Sequence, residues 1–201
     1  MIADAPISIP VPDVPFYSQF TDVISQKWKK QSCGIASLAM IINYYKPKSV
    51  EVNKLLTKAI AEGAYDQNAG WIHKNLISLS TKYGLDGKTY DFAGASNASA
   101  LASITTLLKD GPVMASVHYK FDPKSTIPHL VVIDAIRGDT VYYNDPAADM
   151  GKKQLSSVNF MKGWKKRLIV IRPVKVTQKA PRKISTALSI VPQTHYQMCY
   201  A

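Results

Sequence analysis

Cys33 opens the stretch Ser32-Cys33-Gly34-Ile35-Ala36-Ser37-Leu38-Ala39-Met40-Ile41-Ile42-Asn43-Tyr44-Tyr45, which reads as a buried helix with the thiol in its first turn. The unpaired N–H groups and positive dipole end at a helix start favour a thiolate, the nucleophilic form of cysteine. Alone, such a cysteine is more often a small buried hydrophobe. Two further groups change that balance. His129 stands near the start of the β-branched run Pro128 to Ile136, and Asp145 follows a second run, Thr140 to Asn144. A thiol nucleophile, an imidazole base and a carboxylate to orient it are the parts of a cysteine hydrolase.

These groups need elements that bring them together. Arg137-Gly138-Asp139 between the two β runs is a turn signal, so the runs form a hairpin. With Arg137 and Gly138 as a two-residue loop, Ile136 faces Asp139 and His129 faces Pro146; other loops move that partner by a residue or two. Asp145 therefore lies beside His129 at the open end of the hairpin. Hairpin pairing sets neighbours but not parity, so both side chains on one face and on opposite faces are each compatible with it.

The order of motifs resembles the C39-like branch of the papain-like cysteine peptidases, related to the leader-peptide peptidase domains of bacteriocin exporters. The resemblance rests on Val14-Pro15-Phe16-Tyr17-Ser18-Gln19, on Ser32-Cys33-Gly34 opening Ala39 to Tyr45, and on Leu76-Ile77-Ser78-Leu79 with Lys82-Tyr83-Gly84-Leu85. It continues in Gly111-Pro112-Val113, His129-Leu130-Val131-Val132-Ile133 and Val141-Tyr142-Tyr143-Asn144-Asp145-Pro146. The resemblance implies Cys33 as nucleophile, His129 as general base and acid, Asp145 as its orienter and a glutamine in the oxyanion hole. Gln19 matches that glutamine by its flanking residues, yet it precedes Cys33 by fourteen residues, further than is usual for papain-like enzymes. Gln26 is the alternative, and the basic segment Gln26 to Gln31 is expected to loop out between motif and helix. The second oxyanion donor would be the Cys33 backbone N–H.

A chain of 201 residues with 46% hydrophobic content can bury one substantial core. Two cysteines, Cys33 and Cys199, provide no disulfide framework, and no apolar run approaches the length of a membrane span. The N-terminus shows no basic region followed by a long apolar one, so no signal peptide is expected; the family resemblance suggests a secreted or cell-surface setting. The expected organisation is an extended segment at 1–11, a peptidase domain at 12–176 and a basic linker and tail at 177–201.

Helices come first and sheet later, which argues an α+β fold with N-terminal helices packed on a C-terminal antiparallel sheet. Ser49 is expected to cap a second helix carrying Val52, Leu55, Leu56 and Ala59. A third helix carries Ile72, Leu76, Leu79 and Tyr83 and stops at Gly84, with His73 expected on its exposed side. A fourth runs from about Ala98 to Lys109, capped by Asn97 or Ser99. Strands follow at Val113 to Tyr119, in the hairpin, and at Lys166 to Ile171. Trp71 and Trp164 read as packing residues, and His118 as structural.

The formal charge of +11 is the second signal, with basic runs at Lys27/Lys29/Lys30, Lys152/Lys153 and Lys162/Lys165/Lys166/Arg167. It suits an anionic polymer, a membrane surface or an acidic substrate. Nucleic-acid motifs are missing, which argues against a specific nucleic-acid partner. No cofactor is expected, and the spacing of Cys33, His129 and Asp145 lacks the clustering of a zinc site. A monomeric peptidase acting on peptides is the reading these features favour. Its alternatives are an acyltransferase or transglutaminase-like enzyme using the same three residues, and an inactive binder of anionic cell-surface polymer.

Overall fold

A computed structural model describes residues 10–174. Its helices are α1 (Cys33–Tyr45), α2 (Val52–Ala61), α3 (His73–Thr81), α4 (Asn97–Leu107) and α5 (Ser157–Gly163). Its strands are β1 (Tyr65–Asp66), β2 (Gly70–Trp71), β3 (Leu85–Asp91), β4 (Val113–His118), β5 (Pro128–Arg137), β6 (Thr140–Asn144), β7 (Lys153–Ser156) and β8 (Trp164–Pro173). β1 and β2 form a small hairpin, and the rest form one antiparallel sheet in the order β3-β8-β4-β5-β6-β7. The tail from 177 onward and Cys199 lie outside the described residues.

Alternation along the strands sends side chains to two cores. Met114, Leu130, Val132, Ile169 and Ile171 face a helical layer in which α1 is central. Val113, Ala115, Val131, Ile133 and Leu168 face the other way, onto Ile104 of α4 and Phe160 of α5. Because α1 is enclosed by the sheet and by α2 and α3, it is apolar nearly all round: Ile35, Leu38, Met40 and Ile42 are completely buried. Each such aliphatic side chain contributes about 1.5–3 kcal/mol by leaving water, so the helix that begins at Cys33 is fixed in place by its own burial.

Several local expectations are corrected. The hairpin turns on Gly138 and Asp139, pairing Arg137 with Thr140 and Ile136 with Val141, so Ile136 does not face Asp139. Gly138 has φ of 52°, a conformation glycine adopts without strain. A bulge at Asp134 then shifts the register between the Ile133 and Ala135 pairs. Ser49 does not cap α2; the chain enters that helix through an extended Glu51 that makes no side-chain cap bond. The cap of α4 is Ser96, whose hydroxyl accepts from the Ser99 N–H at 3.1 Å, rather than Asn97 or Ser99. Residues 26–31 do not simply loop out: Lys29–Gln31 form a 3-10 turn, and Trp28 packs edge-on against Tyr65 with centroids 5.0 Å apart.

Candidate active site

Cys33 is the first residue of α1, so its backbone N–H has no acceptor within the helix. His129 enters near the start of β5, and Asp145 follows the last residue of β6. All three are buried. His129 Nε2 and Asp145 Oδ1 are 2.6 Å apart, just shorter than the usual charge-assisted N–H···O bond. Asp145 Oδ1 also accepts the Ala147 N–H at 2.8 Å, which anchors the carboxylate. With Nε2 engaged by Asp145, Nδ1 is the ring nitrogen left free for the Cys33 thiol, which lines the same cavity as His129. The Tyr119 ring meets His129 edge-on at 5.4 Å and closes one side of the imidazole.

Electrostatics at this junction favour an ion pair. Burial opposes a Cys33 thiolate, but the His129 hydrogen bond and charge, with contributions from the Leu130 and Gly34 backbone, outweigh it and hold the thiol below its ordinary value. Burial likewise opposes an imidazolium at His129. The hydrogen bonds and charges of Asp145 and Cys33 prevail and push the ring up to about 10. Both shifts favour the thiolate–imidazolium pair over the neutral thiol and imidazole.

Gln19 is buried, and its position is set by two loops. Its backbone N–H donates to the Pro146 carbonyl at 2.8 Å, and its Nε2 donates to the Lys29 carbonyl at 2.9 Å, in the turn just ahead of α1. Its Oε1 is buried without a partner. The Gln19 side chain does not line the cavity that contains Cys33, whereas Gln31 does. Gln26 is exposed.

That cavity, of about 260 Å³, is lined by Cys33, His129 and Leu130 on one hand and by Tyr65, Trp71 and His73 on another. Trp71 serves both as a packing residue and as a wall, its Nε1 donating to the Gln31 carbonyl. His73 is not exposed as expected. It is half-buried against the sheet, with Nε2 3.2 Å from Ser116 Oγ, because the first turn of a helix can face a neighbour irrespective of the stripe further on. Burial, then the Arg167 charge, lowers its pKa and keeps it neutral. His118 instead bonds the Ser125 carbonyl through Nδ1 at 2.7 Å, and Trp164 is buried core. Among the described residues no cluster of three metal-ligating side chains occurs.

Asp134 is a second buried carboxyl, outside the residues the motifs single out. Its Oδ2 accepts from Asn144 Nδ2 at 2.8 Å, and its Oδ1 has no partner. Burial pushes its pKa up to about 8 despite the Asn144 bond. An aspartate inside an otherwise apolar strand run was the available signal.

A six-stranded antiparallel sheet with the thiol-bearing helix packed on one face is the papain-like fold, and the protein is of the cysteine-type peptidase class. Residues 11–168 match the model of the Peptidase_C39 like family, and the chain belongs to that family. It is 26% identical over 181 residues to a mesentericin transport/processing ATP-binding protein of Leuconostoc mesenteroides, covering 88% of this chain and 22% of that protein. It thus spans about a fifth of that relative's length. Among solved structures, a C39-like peptidase from Bacillus anthracis superposes with a TM-score of 0.57 at 21% identity, covering 83% of this chain and all of that one. A double glycine motif protease from an AMS/PCAT transporter, solved in complex with the leader peptide, gives 0.56 at 22% identity, covering 83% of this chain and 96% of that one. At such identities these two likenesses establish the fold.

Proposed function

We propose that this peptidase cuts peptide bonds with Cys33 as nucleophile, His129 as general acid and base, and Asp145 as the group that orients and charges the imidazole. The Cys33 sulfur attacks the scissile carbonyl carbon, and the carbonyl π electrons move onto oxygen. The Cys33 N–H stabilises that oxyanion; Gln19 is the second donor of this proposal, through the amide N–H not bonded to Lys29, and to serve it must turn its side chain toward a cavity it does not line at rest. As the C–N bond breaks, His129 gives its Nδ1 proton to the leaving amine. Water then attacks the thioester, His129 takes its proton, and the acid product departs as the thiolate re-forms.

The observation that carries this reading is the buried 2.6 Å His129–Asp145 hydrogen bond beside a thiol of lowered pKa on the same cavity wall. Peptide substrates are favoured by the structural neighbour solved with its leader peptide. The test is hydrolysis of a quenched fluorescent peptide library. Wild type is expected to cut members of it, with loss of turnover in Cys33→Ala and His129→Ala at retained folding. Undiminished turnover in Cys33→Ala would end the assignment. Product analysis with an added amine separates hydrolysis from acyl transfer.

A further inference from the structure

The triad uses only part of its cavity. Lys30, Lys165 and Arg167 also line it, and its lining contains no aspartate or glutamate. Among the described residues Lys30 and Lys165 form no ion pair, and Arg167 is bonded to Asp91 through Nε at 3.1 Å, which leaves both Nη groups. Sheet register sets the distances. Leu130, Ser116 and Arg167 lie opposite one another on β5, β4 and β8, so Arg167 is two strand spacings from the residue that follows His129. At about 4.8 Å per spacing this is roughly 10 Å, the reach of about three extended peptide residues. Between the two ends, His73 and Ser116 add neutral hydrogen-bonding groups, and Trp71 and Ile127 add apolar walls.

Lys30, Lys165 and the Nη groups of Arg167 along a partly enclosed lining that holds no carboxylate raise the local concentration of anions more than the same charges scattered over a surface, with Asp91 on the Arg167 Nε offsetting part of that field. We propose that the cationic end of this cavity is a carboxylate subsite, which makes the enzyme prefer peptides carrying glutamate or aspartate within about three residues of the bond it cuts. The subsite rests on the assignment of Cys33 as a reactive nucleophile. It turns part of the chain's positive charge into substrate selection rather than polymer adhesion.

The test uses affinity labels that report on Cys33 directly. The probes are bromoacetyl-Gly-Glu-amide and bromoacetyl-Gly-Gln-amide, with alkylation of Cys33 followed by peptide mass mapping. The quantity read is the Glu-to-Gln rate ratio within each protein, so that changes in intrinsic thiol reactivity cancel. Wild type is expected to show a ratio of roughly five or more at low salt, falling toward one in high salt. The ratio should drop in Lys30→Gln/Lys165→Gln, and in Arg167→Gln as an independent variant. It should persist in Lys153→Gln/Lys162→Gln, which removes the same charge outside the cavity. A ratio near one in wild type, or equal loss in both double variants, overturns the subsite while leaving the nucleophile intact. A Cys33 inert to iodoacetamide near neutral pH overturns the nucleophile and the subsite with it.

Discussion

The Gln19 backbone N–H donates to the Pro146 carbonyl at 2.8 Å, which ties the segment carrying the glutamine to the residue after Asp145. The Gln19 amide in turn holds the Lys29 carbonyl ahead of α1. One residue therefore links the loops that deliver Cys33 and Asp145. Gln19→Ala is expected to lower kcat by about 10²-fold, the usual effect of losing an oxyanion donor, whereas Gln26→Ala retains wild-type turnover. Steady-state kinetics on one fluorescent peptide separates the two glutamines. Equal rates for Gln19→Ala and wild type would remove Gln19 from the site.

Alkylation of Cys33 by iodoacetamide should follow the ion pair. The thiolate is present once pH exceeds the lowered Cys33 pKa, so the rate should already be high at pH values well below the free thiol's value of about 8.5. The imidazolium partner persists until His129 loses its proton near 10, and peptide turnover should fall over that alkaline range. A thiol with an unshifted pKa would gain reactivity only toward pH 8.5 and above.

Asp145→Asn keeps the shape of the carboxyl but removes the charge that raises His129. The imidazole pKa then drops, and the alkaline limb of the pH–rate profile moves to lower pH. Turnover should fall by up to about 10⁴-fold, the effect known for an orienting aspartate replaced by asparagine, with the far-UV circular dichroism spectrum unchanged. An alkaline limb that stays in place in Asp145→Asn would show that this carboxylate does not govern His129.

Much of this geometry is legible in the chain because it depends on element ends. A helix beginning at Cys33 and a hairpin joining His129 to Asp145 follow from apolar period and a glycine turn, patterns that local sterics enforce. What sequence reasoning missed depends on tertiary neighbours. β3 carries Asp86, Gly87 and Lys88 and shows no apolar alternation, so the chain alone offers no strand signal there, yet all seven of its residues pair with β8. β7 holds only four residues, too few to show a period, and is an edge strand paired with β6 alone. His73 gained its place because α3 packs its first turn toward Ser116, a contact between residues far apart in sequence. The extra residue at Asp134 moves the hairpin register by one, a shift that turn chemistry alone does not encode.

Asp134 makes stability depend on pH in a definite direction. Its carboxyl ionises near 3.9 in the unfolded chain but only at about 8 when folded. Between these values the folded state binds more protons, so stability declines as pH rises through that window. Asp134→Asn cannot ionise and keeps an acceptor for the Asn144 amide. Its Tm relative to wild type should therefore rise progressively from pH 5 to pH 8, as thermal melts at several pH values would record. A constant difference in Tm across that range would mean that Asp134 is charged in the folded protein.

Gly34 is glycine because Trp71 occupies the space a side chain would need. A Cβ there would lie 2.6 Å from Trp71 Cγ and 2.7 Å from Cδ1, well inside contact distance. Gly34→Ala must push aside an indole that also bonds the Gln31 carbonyl and walls the cavity. Overpacking of this kind costs about 1–3 kcal/mol, and urea unfolding should report it as a lower midpoint at unchanged slope. Trp71→Ala is expected to be destabilising by itself, yet to recover part of the loss when combined with Gly34→Ala, since removing Cγ and Cδ1 clears the two nearest contacts of the added methyl. A double-mutant cycle measures that coupling; strict additivity of the two changes would show that the methyl and the indole do not compete.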